Sequence, residues 1–219
     1  MTLSIISQPY FGSNSSSFTT TFPSTENPIS EGGAWLSAAT VNGNVTNVQT
    51  AGGNAYGTMV SFNGTDYTDS IAILRGYSPD QYVQVTLANT SAPSGLEIEL
   101  WLRGNVDANN VSGYEIDLVV SSGSLYIVRW NGPKNNYTIL VSAITANVSL
   151  ADGAVWYAEI VGTVITVKCN GTTVYTYDTA AEGSSKITSG NPGIGFWNET
   201  GSAGNQNKFA VKDFTANTL

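Results

Sequence analysis

Apolar and polar positions alternate nearly one for one along most of this chain, in short runs punctuated by Gly, Asn, Ser and Pro. The pattern is clearest over residues 113–120, 125–130, 154–161, 164–169 and 173–178, where β-branched and aromatic residues dominate and Asn170-Gly171 separates two runs. Period-2 alternation with Asn-Gly between runs is the short-range signature of antiparallel hairpins. Further strands are expected near 18–22, 46–51, 55–62, 69–75, 80–88, 96–103, 193–198 and 207–216. Turn-forming stretches such as Gly76-Tyr-Ser-Pro79 and Asn89 to Gly95 separate them. No apolar stripe of period 3.6 extends beyond a turn, and no fixed-period repeat or linker divides the chain. Many short strands at this spacing predict one all-β domain over 18–219, a sandwich or barrel. Residues 1–17, with a small β-capable patch and a Ser-rich tether, read either as an arm that pairs onto a neighbouring copy or as a frayed terminus.

Alternation also assigns faces. In 96–103, Ile98, Leu100 and Leu102 are expected to point to the core, and Glu97, Glu99, Trp101 and Arg103 outward. In 113–120, Tyr114, Ile116, Leu118 and Val120 share one side, and Glu115, Asp117 and Val119 the other. The parity of the loop at 121–124 decides the next strand. An odd loop puts Arg129 near Asp117 and leaves Tyr126, Val128 and Trp130 on the apolar side. An even loop puts Arg129 among apolar side chains, where an unpaired guanidinium is costly, so the odd loop is expected. The outer face would then carry Trp101, Arg103, Glu115, Asp117 and Arg129, with Trp197 nearby. That set reads either as a sugar-binding surface, in which the indole stacks on a pyranose ring and the charges bind hydroxyls, or as a sheet decorated with cross-strand ion pairs.

Composition narrows the partners. The 219 residues include 16 Asp and Glu against 8 Lys and Arg, a net charge of −8, which disfavours nucleic acid and anionic membrane. No stretch approaches the ~18 apolar residues of a membrane span, and the N-terminus lacks the basic and long apolar regions of a signal peptide. Cys169 is the sole cysteine and lies mid-strand, and the chain has no His to activate it, so it reads as a small buried hydrophobe. Asn-x-Ser/Thr tripeptides begin at Asn14, Asn44, Asn63, Asn89, Asn110, Asn136, Asn147, Asn170 and Asn198. They read as glycosylation acceptors on an extracellular surface or virion, or as a turn vocabulary, since Asn-Gly-Thr is also a hairpin sequence.

The succession Gly113-Tyr-Glu-Ile-Asp-Leu, Leu125-Tyr-Ile-Val-Arg-Trp-Asn-Gly-Pro, Ala158-Glu-Ile-Val-Gly-Thr-Val-Ile-Thr-Val-Lys-Cys-Asn-Gly-Thr, Ser189-Gly-Asn-Pro-Gly-Ile-Gly-Phe and Phe209-Ala-Val-Lys-Asp-Phe-Thr-Ala resembles the concanavalin A-like, laminin-G-like superfamily, over roughly residues 18–217. It is closest to versions in phage structural and bacterial secreted proteins. The resemblance implies a two-sheet antiparallel jelly-roll sandwich. Laminarinase-type glucanases of that superfamily carry a Glu-x-Asp-x-x-Glu strand. Here Glu115-Ile-Asp117 matches its first two carboxylates, but Val120 stands at the third. The expectation is therefore not an enzyme but a non-catalytic, lectin-like surface or virion module, decorating a particle or forming its fibre. A stand-alone carbohydrate-binding module is one alternative, and a polysaccharide-cleaving enzyme using Glu115 and Asp117 another. Relatives also bind a structural calcium between the first and last strands. Asp213 matches the closing position, while the opening one reads Thr20-Thr-Phe22. No other cofactor is implied. The expected partners are carbohydrate or further copies of the chain, joined through residues 1–17.

Overall fold

A computed structural model describes residues 16–59, 69–133, 135–198 and 204–219. Fifteen strands follow in order: β1 (Ser17–Thr20), β2 (Leu36–Ser37), β3 (Val48–Ala51), β4 (Asn54–Gly57), β5 (Ser70–Ile73), β6 (Gln81–Asn89), β7 (Leu96–Val106), β8 (Asn110–Val119), β9 (Ser124–Pro133), β10 (Tyr137–Ile144), β11 (Val155–Val161), β12 (Val164–Cys169), β13 (Thr172–Asp178), β14 (Asn191–Asn198) and β15 (Phe209–Thr218). They form two antiparallel sheets. One runs β13-β12-β11-β6-β15-β4-β3, with β1 also on β15, and the other runs β10-β9-β8-β7-β14-β5-β2. Strands distant in sequence are neighbours, as β6 is of β15 and β7 of β14, which makes the sandwich a jelly roll rather than a meander.

Alternation builds the core. Val83, Val85 and Leu87 of β6, Trp156, Ala158 and Ile160 of β11, and Ile165 and Val167 of β12 face Ile98, Leu100 and Leu102 of β7 and Ile116 and Leu118 of β8, all fully buried. Full burial of each large aliphatic side chain stabilises the fold by about 1.5–3 kcal/mol. Asn170 and Gly171, at φ 49° and 79°, make the tight turn between β12 and β13. Cys169 is buried beside the Ser149 carbonyl, and burial pushes its thiol pKa up.

The expected strands are present with shifted ends, and two more appear. β2 is a two-residue edge piece. β10 lies in a passage whose alternation is broken, because its register on β9 shifts twice, between Ile139 and Val141 and between Val141 and Ile144. Of the expected arm, residues 1–15 lie outside the described residues, while Ser17 already opens β1.

Loop parity is the opposite of the expectation. Val119 pairs with Ser124, so the connection is the four residues 120–123. Leu125, Ile127 and Arg129 therefore share the core side with Leu118, Ile116 and Tyr114, while Tyr126, Val128 and Trp130 lie beside Asp117, Glu115 and Gly113. The objection to an even loop assumed an unpaired guanidinium. Arg129 instead bonds Glu182 from the 3-10 segment Thr179–Ser185, and its Nε donates to Asn131 Oδ1 at 2.7 Å.

Candidate functional site

The site is built on the outer face of β14, β7, β8 and β9, where pleating brings every second residue to the same side. Cross-strand register sets three rows: Trp197, Glu97, Val119 and Ser124; then Gly195, Glu99, Asp117 and Tyr126; then Gly193, Trp101, Glu115 and Val128. Residues directly opposite on adjacent strands have Cβ atoms about 5 Å apart. Glu115, Asp117, Glu97 and Glu99 thus occupy two facing strands, and Asp69, just before β5, joins them. Glycine makes the arrangement fit, since a Cβ on Gly195 would overlap the Glu99 carboxylate and lie 2.8 Å from Trp101 Nε1.

The two tryptophans hold the glutamates. Trp101 Nε1–H donates to Glu99 Oε2 at 2.9 Å, and Trp130 Nε1–H donates to Glu115 Oε2. Their rings stack with centroids 6.3 Å apart, and Tyr137 continues the file, 5.3 Å from Trp130. The face is not the open surface that alternation suggested. Residues 38–45 fold over it, and Ala38 and Val45 join Ile71, Ile73, Trp101, Val111, Val128 and Trp130 in a second apolar cluster. Trp101 is fully buried, and Glu99, Glu115 and Asp117 are 1%, 6% and 8% exposed. Glu97, Tyr126 and Trp197, nearer the 120–123 turn, stay half-exposed and form the rim.

Burial and mutual repulsion push these carboxyls up. Glu115 is raised to about 7, by desolvation against the opposing Trp130 bond. Asp69, Glu99 and Asp117 are all raised well above the carboxylate range, by burial first and then by the other acids of the cluster. No lysine or arginine among the described residues offsets those shifts. Asp117 Oδ1 is buried without a hydrogen-bond partner. On the opposite side of β8 and β9, shared by Ser112, Arg129 and Asn131, an open depression of about 430 Å³ is lined also by Asn136, Ser185 and Ile187.

The two arginines expected on this face are elsewhere. A bulge between Leu102 and Asn105 re-aims Arg103, at φ 50°, off the alternation. Its buried guanidinium bonds the carbonyls of Pro79, Ile187 and Gly162 and the carboxylate of Asp80. Arg129 is held on the core side by Glu182. Trp101, Glu115, Asp117 and Trp197 do share the outer face. Asp69 was missed because it stands at the very start of the strand expected over 69–75, ahead of the observed Ser70–Ile73, where a single position carries no periodic signal. The alternate glycines Gly193 and Gly195 were the available hint that large side chains lie across β14.

Asp213 lies on β15, where the calcium expectation placed it. Its Oδ1 accepts the Thr86 N–H at 3.0 Å, Thr20 Oγ1 donates to Glu31, and no group of three or more acidic, Cys or His side chains able to hold a metal gathers among the described residues. Among the glycosylation candidates, Asn198 is corrected: it is 3% exposed and its amide donates to the Met59 carbonyl at 3.1 Å, so no glycan has room there. Asn136, Asn147 and Asn170 are exposed, and Asn44, Asn89 and Asn110 half-buried with their side-chain amides engaged. Asn14 and Asn63 lie outside the described residues.

The architecture is the concanavalin A-like jelly-roll sandwich, and solved structures of that fold match nearly the whole chain. The carbohydrate-binding module CBM66 from Bacillus subtilis is similar at TM-score 0.56 and 12% identity, covering 87% of this chain and 95% of its own. A Bacillus licheniformis β-glucanase is similar at 0.54 and 15%, covering 93% and 98%, and an endo-β-1,3-glucanase from Pyrococcus furiosus at 0.55 and 12%, covering 92% and 93%. No protein-family model and no curated protein sequence matches the chain. These likenesses carry the fold and lend nothing to a phage origin. They do correct the expectation that the chain is not an enzyme, since hydrolases share its architecture end to end. That expectation rested on Val120. Glu97 and Glu99 on the facing strand supply the outer face with carboxyls that a motif confined to one strand overlooks.

Proposed function

We propose that the protein binds a polysaccharide across the outer face and hydrolyses it there. The observation that carries this reading is the carboxyl cluster itself. Gathering acids in a buried patch with no cation among the described residues costs stability, and such perturbed groups concentrate where proton transfer is needed. Glycoside hydrolysis needs two carboxyls with separated protonation, about 5 Å apart in retaining enzymes. Glu115, whose carboxylate form the Trp130 N–H stabilises, ionises near neutrality and acts as the nucleophile. Glu99, one step diagonally across on β7 and raised well above the carboxylate range by burial and then by Glu115 and its neighbours, keeps its proton for the leaving oxygen. Trp197 and Tyr126 at the rim offer aromatic surface to sugar rings. Whole-chain likeness to a β-glucanase and an endo-β-1,3-glucanase supports the same choice. A polymeric substrate also suits an extracellular setting.

The test is release of reducing ends from a panel of polysaccharides by the wild-type chain and by Glu115→Gln. Turnover by the wild type that falls at least a hundredfold in the variant, with its melting temperature retained, is the expected result. A wild type that releases nothing from any member of the panel overturns hydrolysis.

A further inference from the structure

Glu99 and Glu115 each have an indole donor and a role in the reading above; Asp117 has neither. It sits directly opposite Glu99 and two residues from Glu115 on the same side of β8, is 8% exposed, and has one carboxylate oxygen with no hydrogen-bond partner. A buried polar atom left unpaired is costly, and the neighbouring acids add to that cost whenever they ionise. Four of the described Lys and Arg side chains pair elsewhere: Arg103 with Asp80, Arg129 with Glu182, Lys168 with Glu159 and Lys212 with Asp152. The patch therefore has acceptors whose ionisation the neighbouring acids oppose, and is short of positive charge to relieve that repulsion.

We propose that the sugar seated at Asp117 carries a free amino group, so that the substrate class is a glucosamine-bearing polysaccharide rather than a neutral or uronate-bearing one. The proposal rests on the outer face being a glycan site. A hydroxyl of a neutral sugar could donate to Asp117 Oδ1 but would leave the repulsion among the acids unrelieved. An ammonium group does both, with three donors and a full charge. A uronate or sulfate would add a further negative charge to a face that has no cation among the described residues. Half-exposed Glu97 at the rim adds to the attraction along the approach.

The experiment is titration calorimetry on the full chain with glucosamine oligosaccharides, their fully N-acetylated counterparts of equal length, and β-glucan oligosaccharides. Acetylation removes only the charge and its donors, so this comparison needs no variant. The expected result is affinity for the amino sugar at least about tenfold above the acetylated form, the scale of one charge-assisted hydrogen bond. The preference should be lost in the near-isosteric Asp117→Asn. Equal affinity for all three oligosaccharides overturns the substrate class while leaving the glycan site standing. An amino-sugar preference that survives in Asp117→Asn removes Asp117 from the recognition. Binding of none of them, with β-glucan included, overturns the glycan site and this proposal with it.

Discussion

A methyl group at position 195 is the smallest change that probes how the outer face is assembled. Gly195 lies under the Glu99–Trp101 pair, and a Cβ there meets the Glu99 carboxylate and the indole nitrogen, neither of which is a free-swinging end because each holds the other. Overpacking of this kind costs about 1–3 kcal/mol. Gly195→Ala is therefore expected to lower the denaturation midpoint, whereas Gly204→Ala, whose added Cβ meets nothing within 4 Å, should change stability by less than about 0.5 kcal/mol. Equal effects of the two would mean that the Glu99 and Trp101 side chains move aside freely. At this scale, period-2 alternation was enough to place Trp101, Glu99, Glu115 and Asp117 together, because every one lies on an unbroken stretch of strand. It could not foresee that Trp101 is buried, since the cover comes from Ala38 and Val45, more than fifty residues away. Arg103 escaped it for a local reason: one bulge reverses which residues face outward.

Among the elements, β9 teaches how much a single pairing decides. Moving the β8–β9 register by one residue exchanges the two faces of β9. The sequence could not weigh the even loop fairly, because Glu182 arrives from a 3-10 segment some fifty residues downstream. That ion pair has side-chain exposures of 13% and 3%, and Glu182 Oε1 has no hydrogen-bond partner, so loss of the guanidinium leaves a buried carboxylate uncompensated. Arg129→Met is expected to destabilise the protein by about 3 kcal/mol, and the double variant Arg129→Met/Glu182→Leu to recover most of it. Urea denaturation of the four proteins in that cycle tests this; an undiminished loss in the double variant would show that Arg129 packs rather than pairs. β10 was illegible for a similar reason. Two register shifts spread its apolar residues over both faces, leaving Val141 the only one fully buried while Tyr137 and Ile139 stay about half exposed. Strands with intact registers, such as β11 and β12, were read almost to the residue.

For the molecule as a whole, the buried acids tie stability to pH in the direction opposite to ordinary acid denaturation. An acid whose pKa is higher folded than unfolded binds its proton more tightly in the native state. Its contribution is present below the unfolded value and is lost as pH rises through the folded one. Glu115 moves from 4.5 to about 7, so across that window the native chain retains a proton that the unfolded chain has released, and stability falls as pH rises. The loss is on the order of 3 kcal/mol from Glu115 alone, and Asp69, Glu99 and Asp117 shift in the same sense. Melting temperatures are therefore expected to be higher near pH 5 than near pH 8, and Glu115→Gln should flatten the decline by removing one titrating group. The proposed catalysis runs the other way. If Glu115 attacks as a carboxylate, the acidic limb of kcat/KM rises through about pH 7, where the fold is giving up stability. A melting temperature that climbs steadily from pH 5 to pH 8 would mean the acids are solvated or neutralised in solution. The cluster would then have no protonation states set apart for hydrolysis to use.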